Sequence, residues 1–534
     1  MRKIKSATLA ASAIALAAGV SSAATASFNI IQQFQGGSGG YANPLPGPFF
    51  AQLAPPDVNG AVGLNGGSEL VSEFLNGYYG VYTPNGVPIT QETMGVFWEN
   101  ALGATTFNKV FGASGSYFAT DPRIVYDPGS KRWFASTLGI GGASSDNFLL
   151  AVSNTSNPGG TWSGFALPAN PALTSAADFD TLAVNGGNVY LNGDMFSSLS
   201  GGGITGIDLI AVPKASLTAA TPSDSGYRTY TNSPSTGGYI NQPVQELGST
   251  TTTEYMYSGD FANQLNRSEM TGTSYNNYQL SQGAGSIVKF NSAVAGSTTN
   301  AVSPISQPST AVQINADDSR LSSNLYMDAN GLVWGTQTVA DAKNPNLNDI
   351  RYFAINPSTN TILVQGLITP AQGLTSSPNL SLAYASIALN PVAGTTNENV
   401  VIDFAGGSST QAISTYVMTG VFNGSSLALN PFAVLQPAGA GPYYYHNQTT
   451  GTARWGDYST IWADPTNPKD FWIFQELPSA TNPNQWNTWI TQIDPPGTVT
   501  TGAASSVPEP GVLPILFLGA APLLLTLRRR KVGN

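Results

Sequence analysis

Arg123-Ile124-Val125-Tyr126-Asp127-Pro128-Gly129-Ser130-Lys131-Arg132-Trp133-Phe134-Ala135-Ser136 reads as a strand, a tight turn and a second strand. Pro128 presets its φ near −65°, Gly129 accepts positive φ, and the Asp127 carboxylate can hold the turn amides. The same grammar recurs along the chain. Residues 57–64 turn at Asn65-Gly66-Gly67 into 69–75, and 180–184 turn at Asn185-Gly186-Gly187 into 189–196. Residues 245–248 pass a Thr-rich turn into 255–261, and 325–327 turn at Asp328-Ala329-Asn330-Gly331 into 332–338. Residues 385–389 lead through 390–396 into 400–404, and 459–463 turn at Asp464-Pro465-Thr466-Asn467-Pro468 into 471–476.

Most units carry a second β-rich pair: 148–153 with 161–165, 351–355 with 361–367, and 412–418 with 421–427. Two hairpins make a four-stranded antiparallel sheet. Seven such sheets, spaced roughly 58 to 79 residues apart, predict an all-β fold, a β-propeller with long loops between strands. Six or eight blades are the neighbouring counts, and a pair of β-sandwiches is the competing architecture. An open propeller would expose a sheet edge, so residues 28–34 are expected to pair with the last unit and close the ring.

Three segments carry a family resemblance: Pro55-Pro56-Asp57-Val58-Asn59-Gly60-Ala61-Val62-Gly63, Asp121-Pro122-Arg123-Ile124-Val125-Tyr126-Asp127, and Arg454-Trp455-Gly456-Asp457-Tyr458-Ser459. They resemble secreted bacterial propeller proteins related at a distance to sialidase-type repeat proteins. Ser156-Asn157-Pro158-Gly159-Gly160-Thr161-Trp162 resembles a shortened Asp-box, with Pro158 near the place of the Asp. Such a resemblance implies the fold and transfers no activity.

The ends give an address. Arg2, Lys3 and Lys5 precede an apolar stretch over 9–20 and the small residues Ser21-Ser22-Ala23-Ala24-Thr25-Ala26, the pattern of a signal peptide over 1–26. The body is expected over 27–500 and a tail over 501–534. In that tail Pro508-Glu509-Pro510 precedes an apolar run over 512–527 and then Arg528, Arg529, Arg530 and Lys531. This tail resembles the PEP-CTERM sorting signal of bacterial envelope and biofilm-matrix proteins. The resemblance implies an exosortase-type membrane protease as partner and only transient contact with the membrane. A simple C-terminal transmembrane helix is the alternative; the run would span about 24 Å at ~1.5 Å per residue and is interrupted by Pro514 and Pro522.

Outside both end signals, 13 basic residues face 29 acidic ones. An acidic surface repels phosphate backbones, which argues against nucleic acid as a partner. With no cysteine, disulfides and thiolate chemistry are excluded. No cofactor fingerprint is present.

Candidate chemistry is sparse. The one histidine, His446, stands in Tyr443-Tyr444-Tyr445-His446-Asn447. Gly36-Gly37-Ser38-Gly39-Gly40 matches a nucleophile elbow in letters but lacks the following helix. No catalytic residue is assigned. Asp178 and Asp180 are two apart, so on a regular strand they face one side. They could serve glycoside hydrolysis or bind Ca²⁺, or they could cap backbone amides. Asp317-Asp318 and the loop Asp464–Asp470 have Ca²⁺-like oxygen content without a complete motif, so the metal assignment is left unknown. Trp455, Trp462, Trp472, Trp486 and Trp489 are either a sugar-binding face or core.

Arg123, Arg320 and Arg454 each stand at or just before the first strand of a unit. Equivalent positions of propeller blades converge on the axis, so the three guanidiniums are expected at one mouth, where they could take an acidic polysaccharide. Structural pairing with Asp121, Asp318 and Asp457 is the competing reading. Together these features favour an exported, non-enzymatic binding or structural protein of the envelope or exopolysaccharide matrix. A glycan-active propeller enzyme, a sialidase-like glycosidase or lyase, is the alternative.

Overall fold

A computed structural model describes residues 28–40, 55–112, 118–140, 146–169, 176–197, 203–232, 239–259, 263–271, 274–276, 287–294, 302–373, 379–391, 395–436, 442–444 and 451–497. The expected signal peptide, the expected sorting tail and His446 lie outside the described residues. Among the described residues no helix is long and apolar enough to cross a membrane.

The protein is mostly β, built from antiparallel sheets of about four strands. Unit 1 runs Asn59–Asn65, Ser68–Leu75, Tyr78–Tyr82, Pro88–Thr93. Unit 2 runs Phe118–Asp127, Arg132–Ile140, Asn147–Ser153, Trp162–Pro168. Unit 3 runs Ala176–Val184, Asn188–Phe196, Ile204–Pro213, Arg228–Asn232. In unit 4, Tyr239–Gln245, Thr253–Gly259 and Gln264–Thr271 are edged by the short strands Ser274–Asn276 and Ile287–Lys289. Unit 5 is Leu325–Met327, Val333–Ala340, Asn348–Asn356, Thr361–Ile368. In unit 6, Ser381–Pro391, Glu398–Ser408 and Gln411–Phe422 are edged by Leu427–Leu429 and Ala433–Gln436.

Unit 7 takes strands from both ends of the body. Thr460–Ala463, Phe471–Pro478 and Gln485–Asp494 are completed by Asn29–Gly40, which pairs antiparallel with Gln485–Asp494. The first strand of each unit lies against the first strand of the next, and that of unit 7 against that of unit 1. This closed circuit is the propeller-like arrangement expected from the hairpins, and the expected closing segment occupies its place. The Gly tract explains how the strand fits there. Gly37 donates its N–H to the Glu73 carboxylate of unit 1 at 2.8 Å, and a Cβ on Gly36 would collide with the same carboxylate.

The turns hold as their residues dictate. Asp127 accepts from the amides of Gly129 and Ser130, Asn185 from Gly187 and Asn188, and Asp464 from Thr466 and Asn467. In units 5 and 7 the turn aspartate also accepts from the next strand's indole: Asp328 from Trp334 and Asp464 from Trp472. In the loop Asp464–Asp470, both oxygens of Asp464 are therefore spent on the hairpin. Of the tryptophans weighed for sugar binding, Trp455, Trp462, Trp472 and Trp486 are buried. Each such burial contributes ~1.5–3 kcal/mol to the sheet packing.

Two expectations need correction. Residues 412–418 and 421–427 are not a hairpin, because Gln411–Phe422 continues as one strand through Thr419-Gly420. Between units 1 and 2, Met94–Leu102 and Ala104–Phe111 are helices. Thr93 caps the first by accepting from the Val96 amide, and Phe97 packs at 4.6 Å from Tyr79 and 5.2 Å from Trp162.

Candidate axial site

One end of the axis is built from a repeated backbone device. Asp121, Phe179, Ile240 and Tyr384 all have φ between 52° and 61°, and each lies at a register shift in the first strand of its unit. Asp57, φ 48°, stands just before the first strand of unit 1. Positive φ at such residues costs about 1–3 kcal/mol each and persists only where surroundings enforce it. Here a neighbouring unit supplies the restraint. The amide of Asp121 donates to Asn76 of unit 1 at 3.0 Å. That of Phe179 donates to Asp121 of unit 2 at 2.6 Å, and that of Ile240 to Asp194 of unit 3 at 2.9 Å. The Tyr384 amide donates to Thr338 of unit 5 at 3.3 Å. Asp57 repeats the contact across the closure, accepting from the Asp457 amide at 2.9 Å.

These bulges overturn the shared-face expectation for Asp178 and Asp180. The left-handed residue between them, Phe179, breaks the alternation. Asp180 is fully buried and accepts from the Ser136 hydroxyl, while Asp178 is open to solvent. Although water reaches it, Asp178 sits in a crowded mouth, and burial together with the Asp121 charge pushes its carboxyl up to about 6.

Arg123, Arg320 and Arg454 all find partners within the protein. Arg123, 1% exposed, donates from Nε to the Asp180 carbonyl at 2.9 Å and from both terminal nitrogens to the Ser322 carbonyl at 3.2 and 3.3 Å. Its guanidinium carbon lies 3.4 Å from the centroid of Tyr458, whose hydroxyl donates to the Pro122 carbonyl at 3.0 Å. One side chain of unit 2 thus binds units 3 and 7 and the segment entering unit 5. Phe179, whose centroid is 5.5 Å from the same guanidinium carbon, joins Tyr458 and Ile240 in a small buried cluster.

The Arg320 guanidinium carbon also lies over Phe179, 4.7 Å from its centroid. It forks onto Asp318 at 2.8 and 2.7 Å and stands 3.4 Å from Asp317. Arg454 pairs with Asp457 at 3.0 and 3.2 Å. The charges of Asp317 and Asp318 outweigh the burial of Arg320 and hold it firmly charged, and Asp457 does the same for Arg454. Of the three expected acidic partners, Asp318 and Asp457 bind their arginines directly. Asp121 touches Arg123 only through space and spends its oxygens on the Phe179 amide and Thr120.

Carboxylates outnumber these cations. Burial raises Asp57 well above its ordinary value, helped by Asp457 and Asp121, and raises Asp194 and Asp317 to about 7 against the pull of Arg320. Elsewhere burial pushes Glu73 and Asp403 to about 7. A raised folded pKa stabilises the native state fully below the unfolded value near 4, and that contribution is lost as pH rises through the folded pKa. Asp127 and Asp464, held below the usual range by their turn hydrogen bonds, act oppositely and weaken the fold only under acid. The melting temperature is therefore expected to peak near pH ~5 and fall toward pH 8. A pH series of melting curves that is flat or rises to pH 8 contradicts this. No group of three or more His, Asp or Glu among the described residues is arranged to hold a metal.

Sequence reasoning missed Asp57, Asp194, Tyr458 and Glu476 at this site. Glu476 accepts from the Gly456 amide at 2.6 Å and the Tyr443 hydroxyl at 3.0 Å. Asp57 and Tyr458 stand just before the first strands of units 1 and 7, and Asp194 and Glu476 lie in the second strands of units 3 and 7.

No family model matches the chain, and no curated protein matches it. Among solved structures it is similar to the phage phi92 endosialidase, at 9% identity and a TM-score of 0.37, over 73% of this chain and 68% of that one. A Trypanosoma rangeli sialidase in complex with sialic acid shows 10% identity and a TM-score of 0.35, over 71% of this chain and 54% of that one. The α-L-arabinofuranosidase Arb93A of Fusarium graminearum shows 9% identity and a TM-score of 0.34, over 86% and 98%. At these values neither a residue role nor an activity passes to this chain.

Proposed function

We propose that this protein is an exported, seven-bladed propeller that serves as a non-enzymatic binding or structural element of a bacterial envelope or exopolysaccharide matrix. The observation that carries the reading is the occupation of Arg123, Arg320 and Arg454 by the protein's own carbonyls and carboxylates. A mouth whose cations are spent internally is a fastening between blades and offers no vacant fork to a carboxylated sugar. Delivery rests on the tail, in which Pro508-Glu509-Pro510 and the basic end would be read by an exosortase-type protease. Intact mass of the protein from its native envelope should then end near Pro510; a species reaching Asn534 contradicts the sorting.

One observation favours the second reading, a glycan-active enzyme. Asp178 is solvent-reached, carries a carboxyl raised to about 6, and stands beside Asp121, as a general acid at a glycosidase mouth would. A panel of aryl sialosides, arabinosides and glucosides decides between them. The scaffold reading expects no turnover above buffer for any of them. Turnover that is lost in Asp178→Asn establishes the enzyme instead.

A further inference from the structure

The opposite end of the axis holds a cavity of a different character. The first strands of units 4 and 5 pair directly and in parallel, Val244 with Leu325 and Gln245 with Tyr326. Beyond that pairing the two sheets part, and their turns enclose a groove of about 750 Å³. A smaller cavity of about 150 Å³ shares Leu247, Met327 and Asp328 with it and is also lined by Trp462. The larger volume lies in the range of sites that enclose a small ligand.

We propose that this groove binds a segment of neutral polysaccharide. Its walls alternate apolar surface with hydroxyl, amide and carboxylate groups: Leu247, Met327 and Tyr255 against Thr253, Asn330 and Ser358. That alternation matches a sugar ring, which offers C–H faces and a rim of hydroxyls. Glu246 adds a specific acceptor. It lines the groove, is 6% exposed, and its Oε1 has no hydrogen-bond partner, while Oε2 is held by the Thr251 and Ser249 hydroxyls. A buried carboxylate oxygen without a donor is costly, and a ligand hydroxyl would satisfy it.

Charge and backbone disfavour anionic ligands and strand-adding peptides. No lysine or arginine lines the groove, whereas Glu246 and Asp328 do, so uronates, sialosides and phosphates are repelled. A peptide cannot add here as a further strand, because Tyr239–Gln245 and Leu325–Met327 are paired on both sides. The site is independent of the axial mouth and of the scaffold reading, because no arginine of the mouth lines it.

The test is calorimetric titration of the protein with maltotetraose, cellotetraose, mannotetraose, trigalacturonate and a neutral hexapeptide. At least one neutral tetrasaccharide should bind saturably. Ala329→Trp, at an exposed lining position, should weaken that binding tenfold or more at an unchanged melting temperature. Arg454→Ala, at the far mouth, should leave it unaltered, which separates a failure here from a failure of the scaffold reading. Binding of none of the three sugars, binding indifferent to Ala329→Trp, or capture of trigalacturonate or the peptide in their place overturns the proposal.

Discussion

Replacing Arg123 with methionine is expected to destabilise the protein by about 3–5 kcal/mol, the largest effect of any single substitution at the mouth. Methionine keeps much of the apolar volume but leaves the buried carbonyl of Asp180 and the half-buried carbonyl of Ser322 without their donors. It also removes the cation from the face of Tyr458, a contact of order 2 kcal/mol when desolvated. Because the guanidinium joins several units, unfolding of one of them should become easier for all. Arg454→Ala is the control. Its side chain is 37% exposed and its pair with Asp457 is partly solvated, so a loss of about 0–1 kcal/mol is expected. Urea denaturation of both variants checks the pair; similar losses would mean that Arg123 is not the axial tie.

Removing residues 28–40 should lower the melting temperature and turn the monomer into soluble oligomers. Two effects add. Phe28 is buried in a cluster with Ile493 and Phe471, worth about 1.5–3 kcal/mol by itself. Phe34 packs 5.2 Å from Tyr82 of unit 1 and 6.5 Å from Trp472 of unit 7, and so seals the junction between the first and last units. The deletion also bares Gln485–Asp494 along its whole length, an unpaired edge that recruits another chain. A synthetic peptide of residues 28–40 added in trans should restore the monomer. Size-exclusion profiles unchanged by the deletion would show that the ring closes without this strand.

The fold was legible where local chemistry and architecture agree. Asp127-Pro128-Gly129 and Asn185-Gly186-Gly187 can hardly do other than turn, and apolar runs on both sides of each turn make hairpins. Closure was legible for a negative reason, since an edge left open is a liability. The bulges were hidden. Phe179, Ile240 and Tyr384 have no preference for positive φ, and only amide acceptors on neighbouring units hold them there. That is why strand periodicity put Asp178 and Asp180 on one face. The two helices after unit 1 were hidden too, because Val96, Phe97 and Trp98 carry strand propensity and Thr93 alone marks the start. The pairing of Arg320 with Asp318 and of Arg454 with Asp457 was open to sequence reading, because those acids stand two and three residues from their arginines. The hold on Arg123 by the Asp180 and Ser322 carbonyls was not, because main-chain acceptors leave no mark in a sequence.

Whether the axial mouth is a fastening or a receptor is tested most directly by titrating the protein with N-acetylneuraminate and trigalacturonate at low ionic strength. Exposed guanidiniums would give salt-sensitive binding. With Arg123, Arg320 and Arg454 already engaged, no saturable binding below millimolar concentrations is expected, and Arg320→Ala should change stability rather than affinity. Micromolar binding that weakens with salt and disappears in Arg320→Ala, with the melting temperature unmoved, would contradict the account.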